Sequence, residues 1–139
     1  MEDHQVKVFT FEEANELLPR LMELLGELKS QRSGIQALEV EIDSLELIVQ
    51  KDEHGISPVL SAKVDVYTRA VNRFYALVEK IHGLGCFLKD VDLGLIDFYF
   101  LHEGRIVYLC WKLGEEQACH WYEVDKGFAF RQPLKQKKQ

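Results

Sequence analysis

Asp97, Cys110 and Glu123, set among Tyr99, Tyr108 and Trp121, are the residues of this chain whose types could do chemistry. They lie within residues 95–124, where three apolar-aromatic runs follow one another: Leu-Ile-Asp-Phe-Tyr-Phe-Leu, Arg-Ile-Val-Tyr-Leu-Cys-Trp-Lys-Leu and Ala-Cys-His-Trp-Tyr-Glu-Val. A thiol and two carboxylates beside phenols could offer a nucleophile, ligands to a metal, or the few convergent polar groups of a small-molecule pocket. Each role makes a demand. Cys110 as a nucleophile needs a general base beside it, and Asp97 is a poor one next to a thiolate. As metal ligands, Asp97, Cys110, Glu123 and His120 fit no established spacing, so no metal is expected. Asp90, Asp92 and Asp97 lack the bidentate Glu of a calcium loop. Gly83, Gly85 and Gly94 precede no helix that would make a phosphate site.

Hairpin geometry aligns the runs. With Glu103-Gly104 at the tip of the first turn, Phe100 faces Val107, Phe98 faces Leu109 and Ile96 faces Trp111. With the second loop centred on Glu115-Glu116, Trp111 faces His120 and Leu109 faces Tyr122. Side chains alternate between faces with period two. One face then holds Ile96, Phe98, Phe100, Val107, Leu109, Trp111, His120 and Tyr122, and reads as core. The other holds Asp97 beside Cys110 beside Trp121, and Tyr99 beside Tyr108 beside Glu123. That mixture suits a pocket floor, a subunit interface rich in Tyr and Trp, or an amphipathic face partly covered by residues 128–134. Arg131 is placed to pair with Glu123 or Asp97 and close it.

The preceding residues must position this sheet. Residues 6–9 could form a short leading strand. Thr10-Phe11-Glu12-Glu13 is a capping box that opens a helix, with Phe9 before it. From Ala14 the apolar residues keep a seven-residue repeat: Ala14, Leu21, Leu28, Ile35, Ile42 and Val49 in one seam position, Leu17, Leu24, Gln31, Leu38 and Leu45 in the other. Such a pattern predicts a long helix packed lengthwise on other helices. Pro19 should kink it. Residues 30–34 are a weak centre, yet the register stays in phase across them, which favours one long bent helix. The polar run 51–55 ends in Gly55 and stops it. Ser57-Pro58 caps a second helix, with a buried face of Ala62, Val66, Ala70, Phe74, Leu77 and Ile81. Gly83 reads as its left-handed terminator. Residues 86–89 are a strand candidate, followed by an Asp- and Gly-rich turn.

At 139 residues the chain reads as one domain: a helical hairpin over 10–83, a β-meander over 86–124 and a tail over 125–139. The expected class is α+β, a long antiparallel helical hairpin packed on a three- to four-stranded antiparallel β-meander. A net charge of −6 argues against nucleic-acid binding, since the one basic cluster is the tail lysines 135, 137 and 138. No apolar run approaches the roughly 20 residues of a membrane span, and the acidic, polar start lacks a secretory signal. Three cysteines without C-x-x-C spacing suggest neither a disulfide framework nor structural zinc, which points to the reducing cytoplasm.

Four blocks carry a resemblance: Phe-Glu-Glu-Ala-Asn-Glu-Leu-Leu-Pro (11–19), Lys-Asp-Val-Asp-Leu-Gly-Leu-Ile-Asp-Phe (89–98), Tyr-Leu-Cys-Trp-Lys-Leu-Gly-Glu (108–115) and Gly-Phe-Ala-Phe-Arg-Gln-Pro-Leu (127–134). Together they resemble a bacterial family known as domain of unknown function 2203. The resemblance implies no activity. It directs attention to the matching positions Asp97, Cys110, Trp111, Glu115, Glu123 and Arg131. The leading expectation is a self-associating or protein-binding module without catalysis, most simply a homodimer or other homo-oligomer. The alternative is a metal- or small-ligand-binding protein, with hydrolysis as its candidate activity, built on Asp97, Tyr99, Tyr108, Cys110, Trp121, Glu123 and Arg131.

Overall fold

The computed structural model describes residues 7–48 and 57–135. The polar stop at 51–55, Val49 of the seam, and tail lysines 137 and 138 lie outside them. The chain forms two compact units, Met1–Leu25 with Glu79–Gln139, and Gly26–Val78. It is an α+β protein with three α-helices and a six-stranded sheet among the described residues.

The first unit opens with β1 (Val8–Phe9) and α1 (Phe11–Glu16). The capping box forms as its residue types require: the Glu13 amide donates to Thr10 Oγ1 at 3.0 Å and the Thr10 amide to Glu13 Oε1 at 2.9 Å. Instead of kinking at Pro19, the helix divides earlier. Leu17 caps α1 with a tight bond from its amide to the Ala14 carbonyl, 3.1 Å, and α2 (Leu18–Ile48) begins afresh. Pro19 thus sits in a first turn, where its missing N–H costs no helical hydrogen bond. From there α2 runs unbroken through residues 30–34.

Helix α3 (Pro58–Gly83) starts as the Ser-Pro pair predicts, with Ser57 Oγ accepting from the Val59 amide at 3.2 Å. Its end differs from the sequence reading. Gly83 is still helical, and the left-handed residue is Gly85, with φ of 99°. A side chain at Gly85 would press on Lys7 and Phe9, so the glycine also lets β1 approach.

The sheet is larger than the expected meander and is mixed. Strands β2 (Phe87–Asp90), β3 (Leu95–His102), β4 (Arg105–Lys112), β5 (His120–Tyr122) and β6 (Gln132–Pro133) pair antiparallel in succession. β1 adds to β3 in parallel, Val8 opposite Tyr99 and Phe9 opposite Phe100. The leading strand expected within residues 6–9 forms as β1 and the candidate at 86–89 as β2, whereas the two-residue β6 carries almost no sequence signal and falls in the expected tail. The β3–β4 hairpin has the predicted register, including Ile96 opposite Trp111 and Phe98 opposite Leu109. Glu103 and Gly104 both adopt positive φ at its tip, the mirror-image turn that matches strand twist.

The β4–β5 register is one residue away from the alignment drawn on Glu115-Glu116. Leu109 faces Trp121, Cys110 faces His120 and Tyr108 faces Tyr122. The connection is held by side chains rather than by a symmetric turn. Trp111 Nε1 donates to the Glu115 carbonyl at 2.9 Å and the Lys112 amide to Glu115 Oε1 at 2.9 Å. Asn15 of α1 clamps the far end, accepting from the Ala118 amide at 2.7 Å. The slip moves every β5 side chain to the opposite face. One face of the sheet now carries Phe9, Ile96, Phe98, Val107, Leu109, Trp111 and Trp121, all buried. Phe9 and Phe98 meet edge to face at 5.0 Å.

In the second unit, Tyr67 donates to Glu39 at 3.0 Å and Lys63 pairs with Glu41 at 3.3 Å. Partner numbers rise along α2 and fall along α3, the order of antiparallel neighbours. The inward stripe of α3 here is Leu60, Lys63, Tyr67, Ala70, Phe74 and Leu77. Ala62 and Val66, expected on that stripe, are exposed. Among the described residues no helix is long and apolar enough to cross a membrane.

Candidate functional site

The face of the sheet opposite Phe98 and Trp111 is built by three strands and covered at one end by the chain's last residues. β3 supplies Asp97 and Tyr99, β4 Tyr108 and Cys110, and β5 His120 and Tyr122, in directly facing rows. β2 adds Phe87 opposite Asp97, with Lys89 two residues on. A 3-10 turn (Phe128–Phe130) and β6 then lay Phe128 and Arg131 along the same face.

Asp97 is the centre, and only 1% of it is exposed. The Tyr122 hydroxyl donates to its Oδ2 through a short contact, and Lys89 Nζ stands 3.5 Å from the same oxygen. Oδ1 is buried and has no hydrogen-bond partner among the described residues. Burial pushes the carboxyl above the ordinary carboxylate value, against the pull of the Tyr122 hydroxyl and the Lys89 charge. Burial first, and the same carboxyl next, raise the Tyr122 phenol. Cys110, facing Asp97 across the strands, is equally buried. Its thiol is pushed up to about 12 by burial first and by the Asp97 charge next, with Arg131 opposing. The nucleophilic thiolate is therefore scarce near neutral pH.

The covering segment is held by charge. Arg131 forks onto Glu115, one arm at 3.3 Å, while Nη1 also reaches Cys110 Sγ at 3.9 Å. The guanidinium lies 4.5 Å from the centre of the Phe128 ring. Burial alone would raise Glu115, but the Arg131 hydrogen bond, the Lys112 amide and the nearby charges outweigh it and hold the carboxylate below its ordinary value. Phe128 packs on the small cluster of Leu95, Cys110 and Tyr122. The Leu134 amide, donating to the Cys119 carbonyl at 2.7 Å, fastens the end.

Away from this cover the face turns aromatic. Tyr99 and Tyr108 stack with planes 5° apart and centroids 5.5 Å apart, and Phe87 meets Tyr99 edge-on at 5.0 Å. Tyr122 leans on Tyr108 at 5.3 Å. Lys89 Nζ lies 4.0 Å from the Tyr108 ring centre, a cation–π position.

Of the expected site residues, Asp97, Tyr99, Tyr108, Cys110 and Arg131 come together. Trp121 and Glu123 do not. The register slip carries both to the other face, where Arg105 forks onto the Glu123 carboxylate and lies 5.5 Å from the Trp121 ring centre. Arg131 therefore pairs with Glu115 rather than with Glu123 or Asp97. Glu115, singled out by the resemblance, joins the site through Arg131, whereas Trp111 lies in the core. The structure also brings in His120 and Tyr122, which the hairpin alignment put in the core, together with Lys89 and Phe87. Among the described residues no group of three or more His, Cys, Asp or Glu side chains is arranged to hold a metal ion.

No curated protein and no solved structure matches the chain. Residues 7–134 match the model of a family described as Uncharacterized conserved protein (DUF2203). A match over nearly the whole length, with the four sequence blocks inside it, places the chain plainly: it belongs to that family.

Proposed function

We propose that this protein works by self-association, as a homodimer joined through the helical stretch Gly26–Val78. One observation carries the reading: that unit cannot bury its own apolar residues. The seam residues Ile35, Leu38, Ile42 and Leu45 of α2 are only half-buried. On α3, Val59 and Val66 are 60% and 40% exposed, and on the side of α2 turned away from the seam Val40 and Leu47 are 66% and 89% exposed. Pro58, Val59, Ala62, Lys63 and Val66 line a shallow apolar groove on α3. Exposed apolar area of this extent on one element is a mark of an interaction surface. Two antiparallel helices offer too few neighbours to cover a heptad seam, whereas four do so in a bundle.

Charge favours a second copy as the partner. The end of α2 carries Glu39, Glu41, Asp43 and Glu46, while α3 carries Lys63 opposite that end and Arg69 and Arg73 further along, with Asp65 between. Lys63 already pairs with Glu41 within the chain. An antiparallel pairing of two hairpins lets Asp43 and Glu46 of one copy meet Arg69 and Arg73 of the other, since all four are exposed. Light scattering coupled to size exclusion tests the reading at micromolar concentration. A mass of twice the 16.2 kDa chain is expected, and a clean monomer across the concentration range overturns it.

A further inference from the structure

The aromatic half of the sheet face already holds an ammonium group in a defined place. Lys89 Nζ sits between the Tyr108 ring, 4.0 Å from its centre, and Asp97 Oδ2, 3.5 Å away. Tyr99 stacks on Tyr108, and Phe87 closes the side edge-on. A carboxylate floor with aromatic walls is the arrangement that recognises alkylammonium ions, through charge and through the negative ring faces. We propose that this face is a binding site for alkylammonium ligands, occupied by the chain's own Lys89, which gives way to a ligand amine.

Three further observations point the same way. First, Asp97 is almost fully buried and its Oδ1 has no donor among the described residues. A carboxylate can accept about four hydrogen bonds, so acceptor capacity is left that a primary ammonium with three N–H groups can use. Second, Lys89 reaches solvent. Its side chain is 36% exposed although Asp97 is only 1% exposed, so its ammonium can turn to water as an incoming ammonium takes over the charge pairing with the buried carboxylate. Third, the face continues outward as an uncovered apolar strip. Leu101 is 59%, Val8 45% and Ile106 39% exposed, and register puts all three on the side of Tyr99 and Tyr108. Strands rise about 3.3 Å per residue, so Leu101 lies roughly 13 Å beyond Asp97, within reach of an alkyl chain whose amine is seated there. Arg131 on the same face is committed to Glu115 and does not compete. The ligand class is thus an amine with an apolar body, and an anionic one is disfavoured by Asp97. This inference names a ligand for the sheet face and is independent of the helix-mediated dimer.

Amide NMR of the full chain gives the test, with n-hexylammonium as probe and n-hexanol and n-hexanoate as controls. Progressive shifts are expected at Lys89, Asp97, Tyr99 and Tyr108 with the amine alone. Lys89→Ala, which empties the site, should bind the probe several-fold tighter, and Tyr108→Leu several-fold weaker. Lys89→Gln keeps the stem packed and repeats the first comparison if the alanine variant unfolds. The same head group occurs on free amines and on lysine side chains. An acetylated, amidated Leu-Lys-Leu peptide forms a second arm, and the tighter of the two identifies the source. Absence of shifts with both probes overturns the proposal. So does equal binding of hexanol, or unchanged affinity in both Lys89 variants. A monomeric chain would leave all of these outcomes unaffected.

Discussion

Burial governs the chemistry of individual residues here more than sequence neighbours do. Cys86 and Cys110 are each about 1% exposed and their thiols are pushed up to about 12 by burial, whereas Cys119 is half-buried with a smaller rise. A thiol reagent such as dithiobis-nitrobenzoate at pH 8 should therefore label Cys119 in the native protein, with the other two reacting only after denaturant is added; fast release of three equivalents would contradict this. Two carboxyls respond to acid with opposite sign. Asp97 is raised above its ordinary 3.8, so folding favours its protonated form, and stability falls as pH rises from that value through the folded one. Glu115 is lowered below its ordinary 4.5, so its contribution is full above that value and is lost as pH falls through the folded one. Urea midpoints measured from pH 3 to 8 should lose the first slope in Asp97→Asn and the second in Glu115→Gln. Glu115→Gln should also cost about 1–3 kcal/mol near neutrality, since Arg131 is left partly buried without its counter-ion. Asp97 and Cys110 were legible in sequence as unusual residues on adjacent strands. Their partners Tyr122 and Lys89 were not, because the first depended on the β4–β5 register and the second on the pairing of the short strand β2 with β3, which sets Phe87 opposite Asp97 and Lys89 two residues on.

At the scale of elements, turns decide what the strands can do. The β3–β4 hairpin was readable because Glu103-Gly104 is a two-residue mirror turn, and two-residue turns fix register. The β4–β5 connection was not, because Asn15, over a hundred positions earlier, pins Ala118, and Glu115 folds back on its own strand. Both alternating sets of residues 118–124 are apolar enough to pass for a core face, so composition could not choose between them. The α3 stripe misled for a related reason: Lys63 and Tyr67 lie inward because Glu41 and Glu39 meet their polar ends, while apolar Ala62 and Val66 lie outward. Gly94 shows how tight one turn is. It has φ of 69°, and an added Cβ would lie 2.6 Å from Leu113 Cβ, whose amide also bonds the Gly94 carbonyl. Gly94→Ala should destabilise by roughly 2–4 kcal/mol in chemical denaturation, from backbone strain and the clash together; a change under about 0.5 kcal/mol would mean that the turn relaxes freely.

For the whole molecule, the seven-residue repeat was legible from Ala14 onward, and so was the α+β class. What the repeat packs against is a question of assembly, which no single chain's periodicity answers. If helices of two copies complete the bundle, Val59→Glu with Val66→Glu should yield a monomer by light scattering while the amide spectrum of the sheet stays unchanged. A dimer that survives both charges would place the contact elsewhere. One feature of the sheet also reaches back into the life of the chain. Val8 pairs with Tyr99, roughly ninety residues downstream. A ribosome adding about 5–20 residues each second needs on the order of 5–20 s to make that partner and somewhat longer to release it from the exit tunnel. During that interval the first strand has nowhere to go, while the α1 cap beside it is already complete. Nascent chains that stop before β3 are then without a sheet, and β1 is the last of the opening elements to find its place.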